Sequence, residues 1–132
     1  MIILGGGRIG SRLAKLLRND KHEVVVIESR REEAERVSKE LDVMVLQSEG
    51  TSRRTLLDAG IKNADLFIAT TGDDKVNILA CEIAKRYGVQ KTLSRVTDPE
   101  NYEIFLDLDI APINESLIIT EALRRAVYTG NR

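Results

Sequence analysis

Hydrophobic residues along this chain fall into two alternating kinds of segment. Short unbroken apolar runs occur at Met1-Ile2-Ile3-Leu4, Val24-Val25-Val26-Ile27, Val43-Met44-Val45-Leu46 and Leu66-Phe67-Ile68-Ala69. Each has strand length and lacks the apolar/polar alternation of a half-exposed strand, so both faces should be buried, as in a parallel sheet. Between these runs the apolar residues recur at helical spacing. Ile9, Leu13, Leu16 and Leu17 share one stripe; Val76, Leu79, Ala80, Ile83, Ala84 and Tyr87 form a stronger one, with Gly88 as its stop. Ala34, Val37 and Leu41 make a weaker stripe in a charged segment, which predicts a more exposed helix. A fifth strand is expected at Lys91–Val96, then a short helix opened by Asp98-Pro99, with proline at its first position. A strand near Ile110 and a last helix over residues 115–128, with Gly130 beyond it, complete the pattern.

Strict alternation of strand and helix predicts an α/β fold of Rossmann type, a doubly wound parallel sheet, because parallel neighbours need right-handed helical crossovers. No linker, low-complexity stretch or internal repeat interrupts it, and 132 residues suit one domain of roughly 100–200 residues. Composition then removes several function classes. Twenty Lys and Arg against 21 Asp and Glu leave a net charge of -1, without the basic footprint of a nucleic-acid binder. A single cysteine, Cys81, precludes an intramolecular disulfide or a cysteine zinc cage and fits a reducing compartment. The apolar runs fall far short of the roughly 20 residues that span a bilayer, and Gly5 interrupts the start too early for a signal peptide.

Chemistry begins at Gly5-Gly6-Gly7-Arg8-Ile9-Gly10, which fits G-x-G-x-x-G after the first strand and opens the first helix. Gly5 would permit the tight turn, Gly7 would admit a pyrophosphate to the backbone, and Gly10 would let helix and sheet pack closely. The helix N-terminus would offer unpaired N–H groups and its positive dipole end to the phosphates. A glycine-rich turn without a ligand is the plainer reading of the motif alone. Glu28 strengthens the case, because an acid at the end of the second strand can accept both adenosine ribose hydroxyls. The same carboxylate repels a 2′-phosphate and so favours NAD(H) over NADP(H); the loop and acid do not separate NAD(H) from ADP or ATP. Arg30 and Arg31 are expected to solvate a helix start. Ser48-Glu49-Gly50-Thr51 and Thr70-Thr71-Gly72-Asp73-Asp74 follow the third and fourth strands and read first as helix capping, with Thr71 or Asp73 a good N-cap. Arg95, a charge within a buried strand, needs either a carboxylate such as Asp73 or Asp74 or a ligand phosphate. His22 sits in a turn at the edge opposite the site, and Cys81 falls among apolar neighbours as an inert core thiol. No catalytic triad order and no clustered metal ligands occur, so no catalytic residue and no metal site are expected.

With these residues placed, the sequence resembles the TrkA-N family, the RCK N-terminal (KTN) domains that regulate potassium channels and transporters. The resemblance spans nearly the whole chain. It rests on the glycine loop, Glu28, Asp58-Ala59-Gly60-Ile61 with Asn63-Ala64-Asp65, Thr71-Gly72-Asp73-Asp74 with Asn77, Ser94-Arg95-Val96 and Asp98-Pro99-Glu100. It implies phosphate contacts at Gly7, Arg8 and Ile9, ribose contacts at Glu28, and adenine-side contacts at Glu49, Gly50 and Thr51. Thr71, Gly72, Asp73, Asn77 and Arg95 would line the cleft. Ser48-Glu49 departs from the family's Gly-Asp, and Pro112 should shorten or break the strand near Ile110.

The last helix carries its own message. Leu117, Ile118, Ile119, Ala122, Leu123, Ala126 and Val127 cover more than one stripe, which points to a partner, or else to deeper packing within its own domain. The resemblance implies that residues 115–130 form a C-terminal crossover and oligomerisation helix on a single nucleotide-binding domain, residues 1–132. It also implies a homodimer or larger homo-oligomer and a partner that is the membrane subunit of a potassium channel or transporter. The expected location is the cytoplasm, at the inner face of the membrane, without direct insertion and without nucleic acid. No chain is left after Arg132 for a second ligand-sensing subdomain, so the expectation is a single-domain regulator or a shortened chain. The leading expectation is a regulatory domain, not an enzyme, that binds NAD(H) or ATP/ADP and couples it to ion flux. The alternatives are the cofactor half of an NAD-dependent oxidoreductase and a structural dimer with a vestigial loop.

Overall fold

The apolar runs become the central strands of one sheet in the computed structural model, which describes residues 1–129. The elements follow in the order β1 (Ile2–Leu4), α1 (Arg8–Asn19), β2 (Val25–Glu28), α2 (Arg31–Glu40), β3 (Met44–Gln47), α3 (Arg53–Asp58) and β4 (Leu66–Ala69). Then come α4 (Asp74–Arg86), β5 (Lys91–Val96), α5 (Tyr102–Asp107), β6 (Ala111–Asn114) and α6 (Glu115–Thr129). Gly130, expected just past the last helix, lies outside the described residues. All six strands are parallel, in the order β3-β2-β1-β4-β5-β6. This is a Rossmann-type doubly wound sheet, and the winding reverses between β1 and β4, where a crevice opens beyond the strand ends.

Burial explains why the strands take these places. β1 is wholly buried, and β2 and β4 are buried except at their first residues. Two apolar layers cover the faces: Leu4, Ile27, Leu56, Phe67 and Phe105 belong to one, and Ile3, Val26, Ala14 and Val37 to the other. The expectation of two buried faces fails at β3, which is the edge strand and leaves Met44 57% exposed.

The first helix also departs from its stripe. Gly10 and Ala14 are its buried residues, with Leu13 and Leu17 partly buried beside them, whereas Leu16 faces out. Small residues line the contact because α1 lies close against the sheet. The segment after β3 holds a helix that the apolar pattern did not reveal: α3, followed by a 3-10 turn at Ile61–Asn63 entered through Gly60 at φ +86°. Pro112 does not break its strand. It pairs opposite Ser94 in β6, an edge strand with one free side, where a missing N–H costs no ladder bond. No residue of α6 is buried, so packing deeper in its own domain is excluded for the apolar residues of this helix.

Candidate functional site

A cleft of about 520 Å³ opens beyond the ends of β1 and β4, within the range of small-molecule and cofactor sites. The glycine loop forms its floor. Gly5 has φ +108°, and a Cβ there would lie 2.7 Å from Thr70 Oγ1. A Cβ on Gly10 would meet the Gly5 carbonyl oxygen at 1.8 Å, so α1 can start this close to β1 only with glycine. Gly7 differs. Its hypothetical Cβ meets no atom nearer than Arg30 Nη2 at 3.6 Å, so the fold's own packing leaves the space beside it open. No side chain caps α1, whose N-cap is Gly7, so the first N–H groups of the helix point at the cleft without an intrahelical partner.

The loop is held from three sides. Thr70 Oγ1 donates to the carbonyls of Leu4 and Gly5, at 2.9 and 3.2 Å. Arg36 Nη2, reaching from α2, donates to the Gly6 carbonyl at 3.0 Å while Glu33 and Glu40 hold its guanidinium. Glu28 Oε1 accepts from Gly6 N at 2.8 Å; Oε2 accepts from Arg30 N at 2.7 Å and Arg30 Nε at 3.3 Å. Burial alone would raise the Glu28 carboxyl, but the bonds from Arg30 and Gly6 together outweigh it and hold the group below the ordinary carboxylate range. Glu28 is therefore a buried anion that anchors the loop as well as a wall of the cleft. Arg30 does more than solvate a helix start: its side chain lines the cleft. Arg31 pairs with Glu35 on the surface instead.

On the opposite wall the structure brings together Thr70, Thr71, Gly72 and Arg95. Arg95 pairs with neither Asp73 nor Asp74. Its partner is Glu115, the first residue of α6, reached at 2.7 Å from Nε and 2.5 Å from Nη2, and both residues line the cleft. Asp73 is an N-cap, accepting from Lys75 N and Val76 N. Asn77, fully buried, supports the wall from behind by donating to the carbonyls of Thr71 and Arg95, both at 3.1 Å. Asp74 is a second strut. Its buried carboxylate accepts from Thr97 N, Thr97 Oγ1, Asp98 N and Asn101 Nδ2. Burial raises this carboxyl too, and those four donors outweigh it, leaving it below the usual range.

Of the residues singled out from sequence, Gly5, Gly7, Arg8, Ile9, Glu28, Thr71, Gly72 and Arg95 line the cleft. Gly10 and Asn77 act from behind it, and Asp73, exposed, caps α4 beside it. Glu49, Gly50 and Thr51 do not reach it. Gly50 packs on Leu4, where a Cβ would sit 2.0 Å from Cδ1, and Thr51 lies by Arg53 and Leu79 on the far side. Their turn opens α3, which Ser52 caps by accepting from Thr55 N. The loop after β3 folds back under the end of β1 at Leu4, on the side of the sheet away from the cleft lining. Sequence reasoning missed Ser29 and Glu115 in the lining and Arg36 behind the loop. The position of Glu115 at the start of a helix after a strand end was the available signal; Arg36 offered none. Burial pushes the Cys81 thiol up to about 12, which makes it inert. Among the described residues, no group of three or more His, Cys, Asp or Glu could hold a metal ion, and no helix is long and apolar enough to cross a membrane.

A family model for the TrkA-N domain matches residues 1–119. The chain belongs to the TrkA-N family. The match runs from β1 into the first turns of α6, so it includes both walls of the cleft and Glu115. A Trk system potassium uptake protein TrkA homolog from Methanothermobacter thermautotrophicus is 40% identical over 110 residues, which is 83% of this chain and 51% of the relative. This TrkA-N chain spans about half the length of some curated relatives it matches and about a quarter of others. Among solved structures, the Kef CTD of Shewanella denitrificans in AMP bound form superposes with a TM-score of 0.81 at 21% identity, covering 98% of this chain and 80% of that one. The GsuK channel bound to NAD gives 0.75 at 18% identity, over 85% of this chain and 20% of the channel chain. At these identities the likeness concerns the fold.

Proposed function

We propose that this TrkA-N chain is a nucleotide-binding regulatory domain of a potassium uptake system, which binds an adenine nucleotide across the glycine loop and Glu28 and passes its occupancy to an ion-translocating partner. The observation that carries the reading is the cleft itself. Uncapped N–H groups of α1, open space at Gly7, a buried anionic Glu28 and the Arg95 guanidinium share one cleft, which is the chemistry of a phosphate next to a ribose. Gly7, Arg8 and Ile9 would hold the phosphates, Glu28 the ribose, and Thr71, Gly72 and Arg95 the opposite side. The Kef CTD with AMP and the GsuK channel with NAD lend support to an adenine nucleotide in this fold. NAD(H) is favoured over NADP(H), because Glu28 disfavours a 2′-phosphate; ADP and ATP carry none and suit the same loop and acid. The titratable groups lining the cleft are Arg8, Arg30, Arg95, Glu28 and Glu115, and both carboxylates are already paired with arginines. Arginine does not give up its proton, so the set favours holding a cofactor over transferring protons.

The potassium assignment comes from the names of the relatives. The exposed apolar residues of α6, among them Ile118, Ile119 and Leu123, favour a second copy of the chain as the cover of this helix. The membrane subunit of the uptake system would be the partner, with the domain at the cytoplasmic face. Titration of the chain with NADH, NAD+, ADP and ATP by calorimetry tests the reading. Saturable binding of one class is expected; no binding at millimolar nucleotide overturns it.

A further inference from the structure

Glu115 presents a conflict that the nucleotide reading leaves open. It places a carboxylate in the same cleft as the uncapped helix terminus, where a ligand phosphate would bring more negative charge. Among the described residues its one cationic partner is Arg95, and Arg95 is tied to the glycine loop through Thr70: Nη1 lies 3.5 Å from the Thr70 carbonyl, while Thr70 Oγ1 reaches the Gly5 carbonyl. A phosphate on the loop and the Glu115 carboxylate therefore compete for one guanidinium. Glu115 is also the first residue of α6, a helix with no buried residue. Two side chains root that helix. Asn114, buried, donates to the Val96 carbonyl and accepts from Leu117 N, and Glu115 holds Arg95.

We propose that Glu115 is a built-in competitor for the ligand's phosphate: it holds Arg95 while the cleft is empty, and a bound phosphate takes Arg95 and releases the first turn of α6. Resting on the adenine-nucleotide reading above, this assigns the ligand class as nucleotides whose phosphate reaches Arg95. It also gives the bound state a mechanical output. Once Arg95 turns to the phosphate, the first turn of α6 keeps its Asn114 contacts and swings about that residue. A ligand shifts such an equilibrium only by interacting differently with the two states, and exchange of Glu115 for phosphate at Arg95 is that difference.

The test measures ADP and NADH affinity for the chain, with adenosine as the phosphate-free control and a chelator present so that no divalent cation bridges the two anions. Glu115→Gln is expected to tighten ADP and NADH about tenfold, the scale of one partly exposed charged contact, and to leave adenosine unchanged. In an Arg95→Gln background the tightening should disappear; if that variant does not fold, Arg95→Lys, which cannot place two donors on Glu115, should reduce it. Hydrogen exchange in the first turn of α6 should speed up when ADP binds the wild type. In Glu115→Gln it should be fast from the outset. The proposal is overturned by unchanged or weaker ADP binding in Glu115→Gln, by equal tightening of adenosine, or by tightening that persists without Arg95. If neither ADP nor NADH binds the wild type, the nucleotide reading falls with it. If both bind independently of residue 115, only the competitor falls.

Discussion

Replacing Glu28 by Gln keeps the shape of the side chain and removes its charge, which isolates what the carboxylate does for the loop. Three donors converge on it, Gly6 N and Arg30 N and Nε, and the residue is 4% exposed. An amide has one acceptor oxygen, so whichever way Gln turns, its NH2 group opposes the N–H of Gly6 or of Arg30. Hydrogen bonds to charged groups are worth about 1.5–3 kcal/mol each, and part of that survives on the remaining oxygen, so a net loss of about 2–4 kcal/mol is expected. For a domain of this size that lowers Tm by roughly 10 °C. Urea unfolding from pH 7 downwards checks both size and origin. The folded carboxyl lies below its unfolded value of about 4.5, so its contribution is fully present above that pH and is lost as pH falls through the folded value. The gap between wild type and Glu28→Gln should be constant in the neutral range and close under acid. Asp74 has the same sign of pH dependence but is present in both proteins, so it cancels from the difference. A gap below about 0.5 kcal/mol at pH 7, the scale of an ordinary surface substitution, or one that widens under acid, would refute the anchoring role.

Two glycines of one motif should separate fold from binding. Gly10→Ala forces a Cβ to 1.8 Å from the Gly5 carbonyl and is expected to cost more than about 3 kcal/mol in thermal unfolding, whereas Gly7→Ala should keep its Tm and lose at least about tenfold in ADP or NADH affinity; a Gly7→Ala chain that binds normally removes Gly7 from the phosphate site. On α6, Leu123→Glu should leave the unfolding free energy within about 0.5 kcal/mol, because the side chain is exposed, and should disperse the assembly in sedimentation. A wild-type chain that sediments as a monomer at millimolar concentration would end the second-copy reading.

Legibility from the sequence followed the range of the interactions. The strands of the central sheet and the glycine loop could be read because their signals are contiguous: an apolar run, or six residues in a fixed pattern. Glu28 could be read because the end of β2 is set by the same run. Helix α3 was missed because it is short, begins Arg53-Arg54 and buries only Thr55 and Leu56. The struts behind the cleft were invisible for a different reason. Arg36 reaches Gly6, Asn77 reaches Arg95 and Asp74 reaches Thr97, and each joins residues far apart in the chain whose meeting depends on the strand order. The Arg95 partner shows the same limit. Asp73 and Asp74 are near in the pattern, but the turn after β4 spends them on backbone N–H groups, and β6 delivers Glu115 instead.

That strand order also says which half of the cleft can report a ligand. The β2 side, Glu28 with Arg30 and Arg36, is fastened to the loop by bonds that exist before anything binds. Preorganised donors and acceptors hold a ligand at small reorganisation cost, but for the same reason they move little when it arrives. The β4–β5–β6 side is built otherwise. Its backbone is braced by Asn77 and Asp74, while the ion pair of Arg95 with Glu115 leads directly into a helix that the domain leaves exposed. A nucleotide bridging the two walls would thus be gripped on one and read on the other. Moving the reading contact to the β2 wall would leave α6 without a link to the ligand, because α6 follows β6, at the opposite edge of the sheet from β3 and β2.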